Sequence, residues 1–338
     1  MAGIESLIIA PQWIGDAVMT EPLLRCLAAR GERLTVGALP WVAPVYRAMP
    51  QVSEVIEFPF RHGGLQWQAR KALARQMRGR FARAYVCPNS FKSALLPWLA
   101  GIPVRVGYTG ESRWGLLNQR LPNPSKTHRP PMVDFYAALS QAPLIPGVAP
   151  RLQLPAEVLT QTLVQQGLQA QAYVVFAPGA EYGPAKRWPA AHFSSLAQQL
   201  DLPVVLLGSG KEAALCESIA APLQKTVRPG QCRNLAGATS LLEAFALIAG
   251  AHRVISNDSG LMHVAAAFGV PQVAIYGSSS PEHTPPLNPL AQVLWLKLDC
   301  APCFKRDCPL GHTRCLQDIS PEQVRAASSR PSGAVLPR

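Results

Sequence analysis

One pattern constrains this chain more than any other feature. Short apolar runs alternate with helical stretches, the alternation stops in a proline-dense segment, and then it begins again. In the first half, residues 7–10, 34–38, 55–58, 84–87 and 104–107 are apolar runs of strand length. Helical spacing fills the intervals, as in 66–80 and 90–100, and a helix starting near Asp16 carries Ala17, Leu23, Leu24 and Leu27. Pro143, Pro146, Pro150 and Pro155 then follow in quick succession. That density forbids a continuous helix or central strand, so the segment reads as a linker. Beyond it, 173–177, 203–207, 253–257 and 272–276 read as strands, and 190–200, 211–221, 241–249 and 260–268 as helices.

Strands alternating with helices imply mainly parallel sheets covered on both faces. The expectation is two similar α/β domains, 1–155 and 156–338, and a length of 338 residues suits two domains of about 150 each. Hydrophobic residues at 48% and charged residues at 15% supply full cores, and 33 prolines predict many sharply turned loops. Ligands of such sheets bind beyond the carboxyl ends of the strands, which places the expected site in a cleft between the two domains.

Charge narrows the partners. The net charge is +12; residues 1–157 hold 18 basic and 9 acidic side chains (+9), and 158–338 hold 14 and 11 (+3). A basic surface favours nucleic acid, an anionic membrane face or a phosphorylated substrate. No zinc-finger, helix-turn-helix or RNA-binding signature is present, which argues against nucleic acid. No segment reaches the ~18–20 apolar residues of a membrane span. The apolar run 4–10 is cut by Pro11 and soon followed by Asp16, unlike a signal peptide. A cytoplasmic protein with reduced cysteines is therefore expected.

Three loops carry candidate chemistry. In 11–18 (PQWIGDAV), Gly15 permits a tight turn and Asp16 stands at the start of a helix, where it can be a simple N-cap or a functional carboxylate. In 177–189 (APGAEYGPAKRWP), a strand feeds a Gly/Pro-rich loop with Lys186 and Arg187, either a phosphate-binding loop or a solvated basic turn. In 256–263 (SNDSGLMH), small and polar residues at a strand-to-helix junction make an anion site from exposed N–H groups. His263 lies one turn into that helix, where packing or capping is the plain alternative. Gly208-Ser-Gly210-Lys211-Glu212 repeats the strand–turn–helix geometry, and an acidic residue there can bind ribose hydroxyls. The chain has neither a Walker A sequence nor a GxGxxG fingerprint.

The stretches 11–18, 87–118 (CPNSFKSALLPWLAGIPVRVGYTGESRWGLLN), 178–189, 257–267 and 300–315 resemble the ADP-heptose:lipopolysaccharide heptosyltransferases, glycosyltransferase family 9. Trp13 and its neighbours match the heptosyltransferase II branch better than the heptosyltransferase I branch. The resemblance implies a GT-B fold, two Rossmann-like domains with parallel sheets facing across a cleft. It implies an inverting, metal-free transfer of the second L-glycero-D-manno-heptose from ADP-heptose to the heptosyl-Kdo2-lipid A inner core of lipopolysaccharide, without cofactor. Carried over residue by residue, Asp16 would be the general base and Lys186 would hold the diphosphate. Ser259 and Gly260 would offer it N–H groups, Asp258 and His263 would face heptose or phosphates, Glu212 would take the ribose and Thr239 would flank adenine. Such chemistry needs a stabilised diphosphate leaving group and only one carboxylate on the acceptor side.

Further expectations follow. The +9 half would bind the anionic acceptor through Arg61, Arg113 and Arg120, with Lys126 and Arg129 nearby. The protein would be a monomer, peripheral to the cytoplasmic face of the inner membrane. On one helix, Lys71, Arg75 and Arg78 form a face that is either solvated or turned to the membrane. A related transferase with another acceptor, or a sugar-nucleotide epimerase of the same fold, are the alternatives. The family closes with a helix crossing back to the first domain, whereas 328–338 is a poor helix sequence. Finally, Cys300, Cys303, Cys308 and Cys315 have C-x₂-C-x₄-C-x₆-C spacing with His312 inside it. Reduced packing thiols, a structural zinc or a disulfide all suit that spacing; the expectation is no bound metal.

Overall fold

The computed structural model describes residues 3–60, 64–125, 129–143, 145, 147–224 and 230–329. Arg61 and Lys126 lie outside them, as does nearly all of 328–338. The chain divides into two units, Met1–Gln153 and Leu154–Arg338. That boundary falls inside the proline-dense linker, two residues before the one read from the sequence.

The first unit is a six-stranded, all-parallel sheet of β1 (Ile4–Ile9), β2 (Glu32–Ala38), β3 (Val52–Glu57), β4 (Arg83–Val86), β5 (Val104–Tyr108) and β6 (Gln119–Leu121), in the order β3-β2-β1-β4-β5-β6. Its helices are α1 (Ile14–Met19), α2 (Glu21–Ala29), α3 (Ala43–Arg47), α4 (Trp67–Met77), α5 (Phe91–Leu99) and α6 (Met132–Ala137). The central strands are buried on both faces, so they read as near-continuous apolar runs. Leu7, Ile9, Val86, Leu73, Met77 and Leu96 are part of one core cluster beneath α4 and α5.

The second unit repeats the plan with β7 (Val174–Ala177), β8 (Val204–Leu206), β9 (Cys232–Asn234), β10 (Arg253–Asn257), β11 (Gln272–Tyr276) and β12 (Ala291–Trp295), ordered β12-β11-β10-β7-β8-β9 and again all parallel. The helices are α7 (Ala156–Gln166), α8 (Ala190–Gln198), α9 (Ala213–Gln224), α10 (Leu241–Ala249), α11 (Gly260–Ala267), α12 (Arg314–Gln317) and α13 (Pro321–Ser328). Phe176, Trp188, Phe193, Ile255, Leu316 and Val324 belong to its main core. The indole N–H of buried Trp188 donates to the Ile319 carbonyl at 2.9 Å, which ties the C-terminal segment to α8. The last described helix, α13, starts with a full Ser320–Gln323 capping box and packs on α8. No described helix is long and apolar enough to cross a membrane.

Two expectations change. The helix near Asp16 is two helices, α1 and α2, broken where Thr20 separates Met19 from Glu21 and Pro22. Asp16 is not the N-cap: Trp13 holds that position, α1 begins at Ile14, and Asp16 lies in the first turn.

Candidate active site

Each unit presents polar side chains on the loops after its strands, at the carboxyl edge of its sheet. In the first unit the loop after β1 turns through buried Gly15 into α1. Asp16 is half-buried there, and its Oδ1 accepts a hydrogen bond from the Tyr136 hydroxyl at 3.0 Å. Burial first, and then the Asp16 charge, push the Tyr136 phenol well above its usual range, so it stays a neutral donor. Alongside, Thr20 Oγ1 donates to the Ala17 carbonyl at 2.7 Å and lies 3.2 Å from the Tyr46 hydroxyl. The result is a carboxylate whose orientation is fixed from behind by a residue 120 positions away. Sequence spacing carries no trace of that pairing.

The basic residues expected to meet an acceptor separate. Arg120 is exposed on β6, its guanidinium 4.3 Å from the Trp114 ring centroid. Arg113 is corrected: it is only 2% exposed and is consumed by its own loop. Its guanidinium donates to the carbonyls of Pro88 (2.8 Å), Gly110 (3.3 Å) and Tyr108 and to Asn89 Oδ1 (2.9 Å). It shapes the loops after β4 and β5, with four of its five N–H donors committed to them. Arg113→Ala should therefore lower stability by about 2–4 kcal/mol, because several buried acceptors lose their partner. Thermal unfolding measures this, and a melting temperature within a degree or so of the parent would contradict it.

In the second unit five consecutive loops line the edge. After β7, the chain runs through Gly179 and Gly183 to Lys186 in a short 3₁₀ turn, Pro184–Lys186. Lys186 Nζ meets Asp258 Oδ2 at 2.6 Å, with side-chain exposures of 18% and 4%. Asp258, after β10, also accepts from Thr284 Oγ1 at 3.3 Å. Ser259 caps α11 with no side-chain bond of its own, so the first-turn N–H groups starting at Gly260 point out of the helix unclaimed by it. His263 is buried with Nε2 4.0 Å from Asp258 Oδ1, and burial drops its pKa to about 4. Its imidazole is neutral at pH 7 and cannot serve as a cation for phosphate.

Glu212 follows β8. Its Oε2 closes a capping box on Ser209 N at 2.8 Å and Ser209 Oγ at 3.0 Å, while no described hydrogen bond uses Oε1. The carboxylate lies directly against Gly179 and Gly208, where any Cβ would collide with it or crowd it. Thr239 is half-buried in the loop after β9, just ahead of the capped start of α10 at Ser240. That loop touches the Glu212 loop, since Gly237 N donates to the Gly208 carbonyl at 3.0 Å and adopts φ +76° against Gly210.

Three features escaped the sequence reading. Asn257 clamps the Lys186 loop by accepting from Trp188 N at 2.9 Å and donating to the Pro178 carbonyl at 2.6 Å. Ser278 and Ser279, after β11, are buried with hydroxyls that have no protein partner among the described residues. The cysteine-rich segment braces the same loop: Tyr182 donates to the Phe304 carbonyl at 2.8 Å and Ala185 N to the Arg306 carbonyl at 3.0 Å. Cys300, Cys303, Cys308 and Cys315 line one cavity of about 20 Å³ with His312. All four are free thiols, and no described trio of His, Cys, Asp or Glu is arranged to hold a metal ion.

Residues 70–314 match the model of glycosyltransferase family 9 (heptosyltransferase). The chain belongs to this family. It is 43% identical to lipopolysaccharide heptosyltransferase 2 of Escherichia coli K12, over 94% of this chain and 95% of that protein. It is 39% identical to lipooligosaccharide heptosyltransferase 2 of Haemophilus influenzae Rd, over 94% and 96%. Among solved structures, E. coli ADP-heptose lps heptosyltransferase II superposes with a TM-score of 0.84 at 40% identity, covering 96% of this chain and 97% of that one. This family member is a glycosyltransferase of GT-B fold class, and the epimerase alternative falls away.

Proposed function

We propose that this heptosyltransferase transfers L-glycero-D-manno-heptose from ADP-heptose to the heptosyl-Kdo2-lipid A inner core of lipopolysaccharide, adding the second heptose with inversion. The observation that carries the reading is the order of groups along the carboxyl edge of the second sheet. Asp258, Ser259 and Gly260 follow β10, Lys186 follows β7, Glu212 follows β8 and Thr239 follows β9, and β10, β7, β8 and β9 are consecutive neighbours in the sheet. That sequence matches a nucleotide sugar laid along the edge: sugar and diphosphate over β10 and β7, ribose at the unused Glu212 Oε1, adenine beside Thr239.

Asp16 is the base on this reading. Oδ1 is held by Tyr136, and the carboxylate takes the proton of the acceptor hydroxyl as that oxygen attacks the anomeric carbon. The carbon–oxygen bond to the diphosphate breaks on the opposite side, and its electron pair leaves with ADP. Lys186 and the N–H groups of the first turn of α11 stabilise the charge that gathers on the leaving phosphate. ADP released only when both ADP-heptose and the acceptor are present supports the reading; release from ADP-heptose alone sinks it.

The excess of +9 over residues 1–157 suits an anionic glycolipid held at the inner-membrane surface, with the enzyme bound peripherally as a monomer. Arg120, exposed and braced by Trp114, is the described cation of that contact; Arg61 remains part of the proposal from sequence alone. Arg120→Ala should raise the acceptor KM several-fold, by about 3–10-fold for one exposed charge, and leave the donor KM unchanged. The difference should shrink as salt is added. Identical acceptor kinetics for parent and variant at low salt would contradict it.

A further inference from the structure

The first unit carries a row of exposed aromatic rings that neither its core nor the proposed chemistry uses. Trp13 follows β1, Trp41 follows β2, Trp67 follows β3, Phe91 follows β4 and Trp114 follows β5. Their exposures are 46%, 46%, 39%, 38% and 75%. All five stand on the connection leaving a strand or on the first residue of the next helix, so a parallel sheet brings them to one edge. Across the corresponding connections of the second unit, Tyr182 alone is an exposed large aromatic among the described residues. Exposed Trp98, at the far end of α5, belongs to the opposite edge and is not part of the row.

The strand order places the Asp16 loop inside this row, with the Trp41 loop on one side, beside β2, and the Phe91 loop on the other, beside β4. The two tryptophans nearest Asp16 flank its loop. Trp13 is three residues ahead of it and precedes the first turn of α1. The Trp41 indole N–H donates to the Gln12 carbonyl at 3.0 Å, which fixes that ring against the Asp16 loop. At the other end of the row, Glu111 Oε2 accepts from Phe91 N at 2.8 Å, and Arg120 lies against Trp114. Flat apolar faces with a cation at one end of the row suit saccharide rings that carry an anionic group.

We infer that Trp13 and Trp41 form an acceptor subsite on which the sugar rings of the inner core stack, beside the Asp16 carboxylate, with the Trp114–Arg120 pair taking an anionic substituent. The inference rests on the proposed acceptor being a saccharide. It assigns to Trp13 and Trp41 a part in acceptor recognition that is separate from proton transfer and from donor binding.

Trp13→Ala and Trp41→Ala in the full-length protein test it, with kinetics on two acceptors: the glycolipid in vesicles, and its fully deacylated saccharide free in solution. The acceptor KM should rise about 10-fold or more for each variant with both acceptors, the loss of one well-formed stacking contact. Donor KM should match the parent for both variants, and Trp13→Ala should also keep the melting temperature and, within about 2-fold, kcat at saturating acceptor; Trp41→Ala also releases the Gln12 carbonyl, so its KM change is the informative readout. Trp13→Phe and Trp41→Phe, which keep a ring, should recover most of the loss. Unchanged KM with the soluble saccharide would overturn the inference, and a loss confined to vesicles would reassign the rings to the membrane surface. Failure of the Asp16 assignment would read differently: Asp16→Asn would stay active while the tryptophan effects on KM persisted.

Discussion

Asp16→Asn is expected to lower kcat at least ~100-fold, the lower range for loss of a general base, with the fold and both KM values nearly intact. Asparagine keeps the size of the side chain and its amide oxygen can still accept from Tyr136, while the basic carboxylate is lost. Tyr136→Phe provides the graded companion. It leaves the carboxylate but removes its phenol donor, and should reduce kcat about 10-fold, as expected for one hydrogen bond to a charged group. Near-parental turnover by Asp16→Asn would remove the base assignment altogether.

The second large effect is expected at Lys186. Lys186→Ala removes the ammonium that lies 2.6 Å from Asp258 and leaves that carboxylate, 4% exposed, without its cation. Donor KM should rise and kcat should fall together, because on the proposed reading the lost charge would contact the diphosphate before and during departure. A combined drop in kcat/KM of about 100-fold or more corresponds to one charge-assisted contact in a partly buried site. Asp258→Asn separates the two roles, since it keeps the ammonium while loosening its position, and should cost less than Lys186→Ala. With Lys186 and helix N–H groups stabilising the leaving group, EDTA should leave the rate unchanged. A strict Mg²⁺ requirement would contradict the proposed division of labour.

The architecture was legible where burial forces a periodic pattern. Strands such as Arg253–Asn257 and Gln272–Tyr276 agree to the residue with their apolar runs, because both faces of a central parallel strand are covered. Of the four edge strands, only β3 was legible, as the run 55–58. Gln119–Leu121 and Cys232–Asn234 are three residues long and partly exposed, and Ala291–Trp295 is only half-buried throughout, so none of them needs a continuous apolar run. The break between α1 and α2 was hidden because Ala17, Leu23, Leu24 and Leu27 fit one helical spacing, although Pro22 ends it.

At the site, the sequence reading located the loops but not what each side chain is free to do. Lys186 and Asp258 are 72 residues apart and emerge together because β7 and β10 are neighbours. Arg113 looked like any loop arginine, yet the fold surrounds it with four acceptors. His263 looked like a polar ligand for an anion, yet burial holds it neutral. Tyr136 gave no local signal, and Asn257 was noticed only as part of its polar loop, since each acts on a partner that only tertiary packing supplies.

Mass spectrometry of the acceptor glycolipid, before and after incubation with the enzyme and ADP-heptose, tests the central claim most directly. Lipid A bearing Kdo and a single heptose should gain the mass of one heptosyl residue and no more, while the same lipid A lacking that first heptose should remain unmodified. A heptose gained by the acceptor that carries none, or an unchanged spectrum for the acceptor that carries one, would contradict the account.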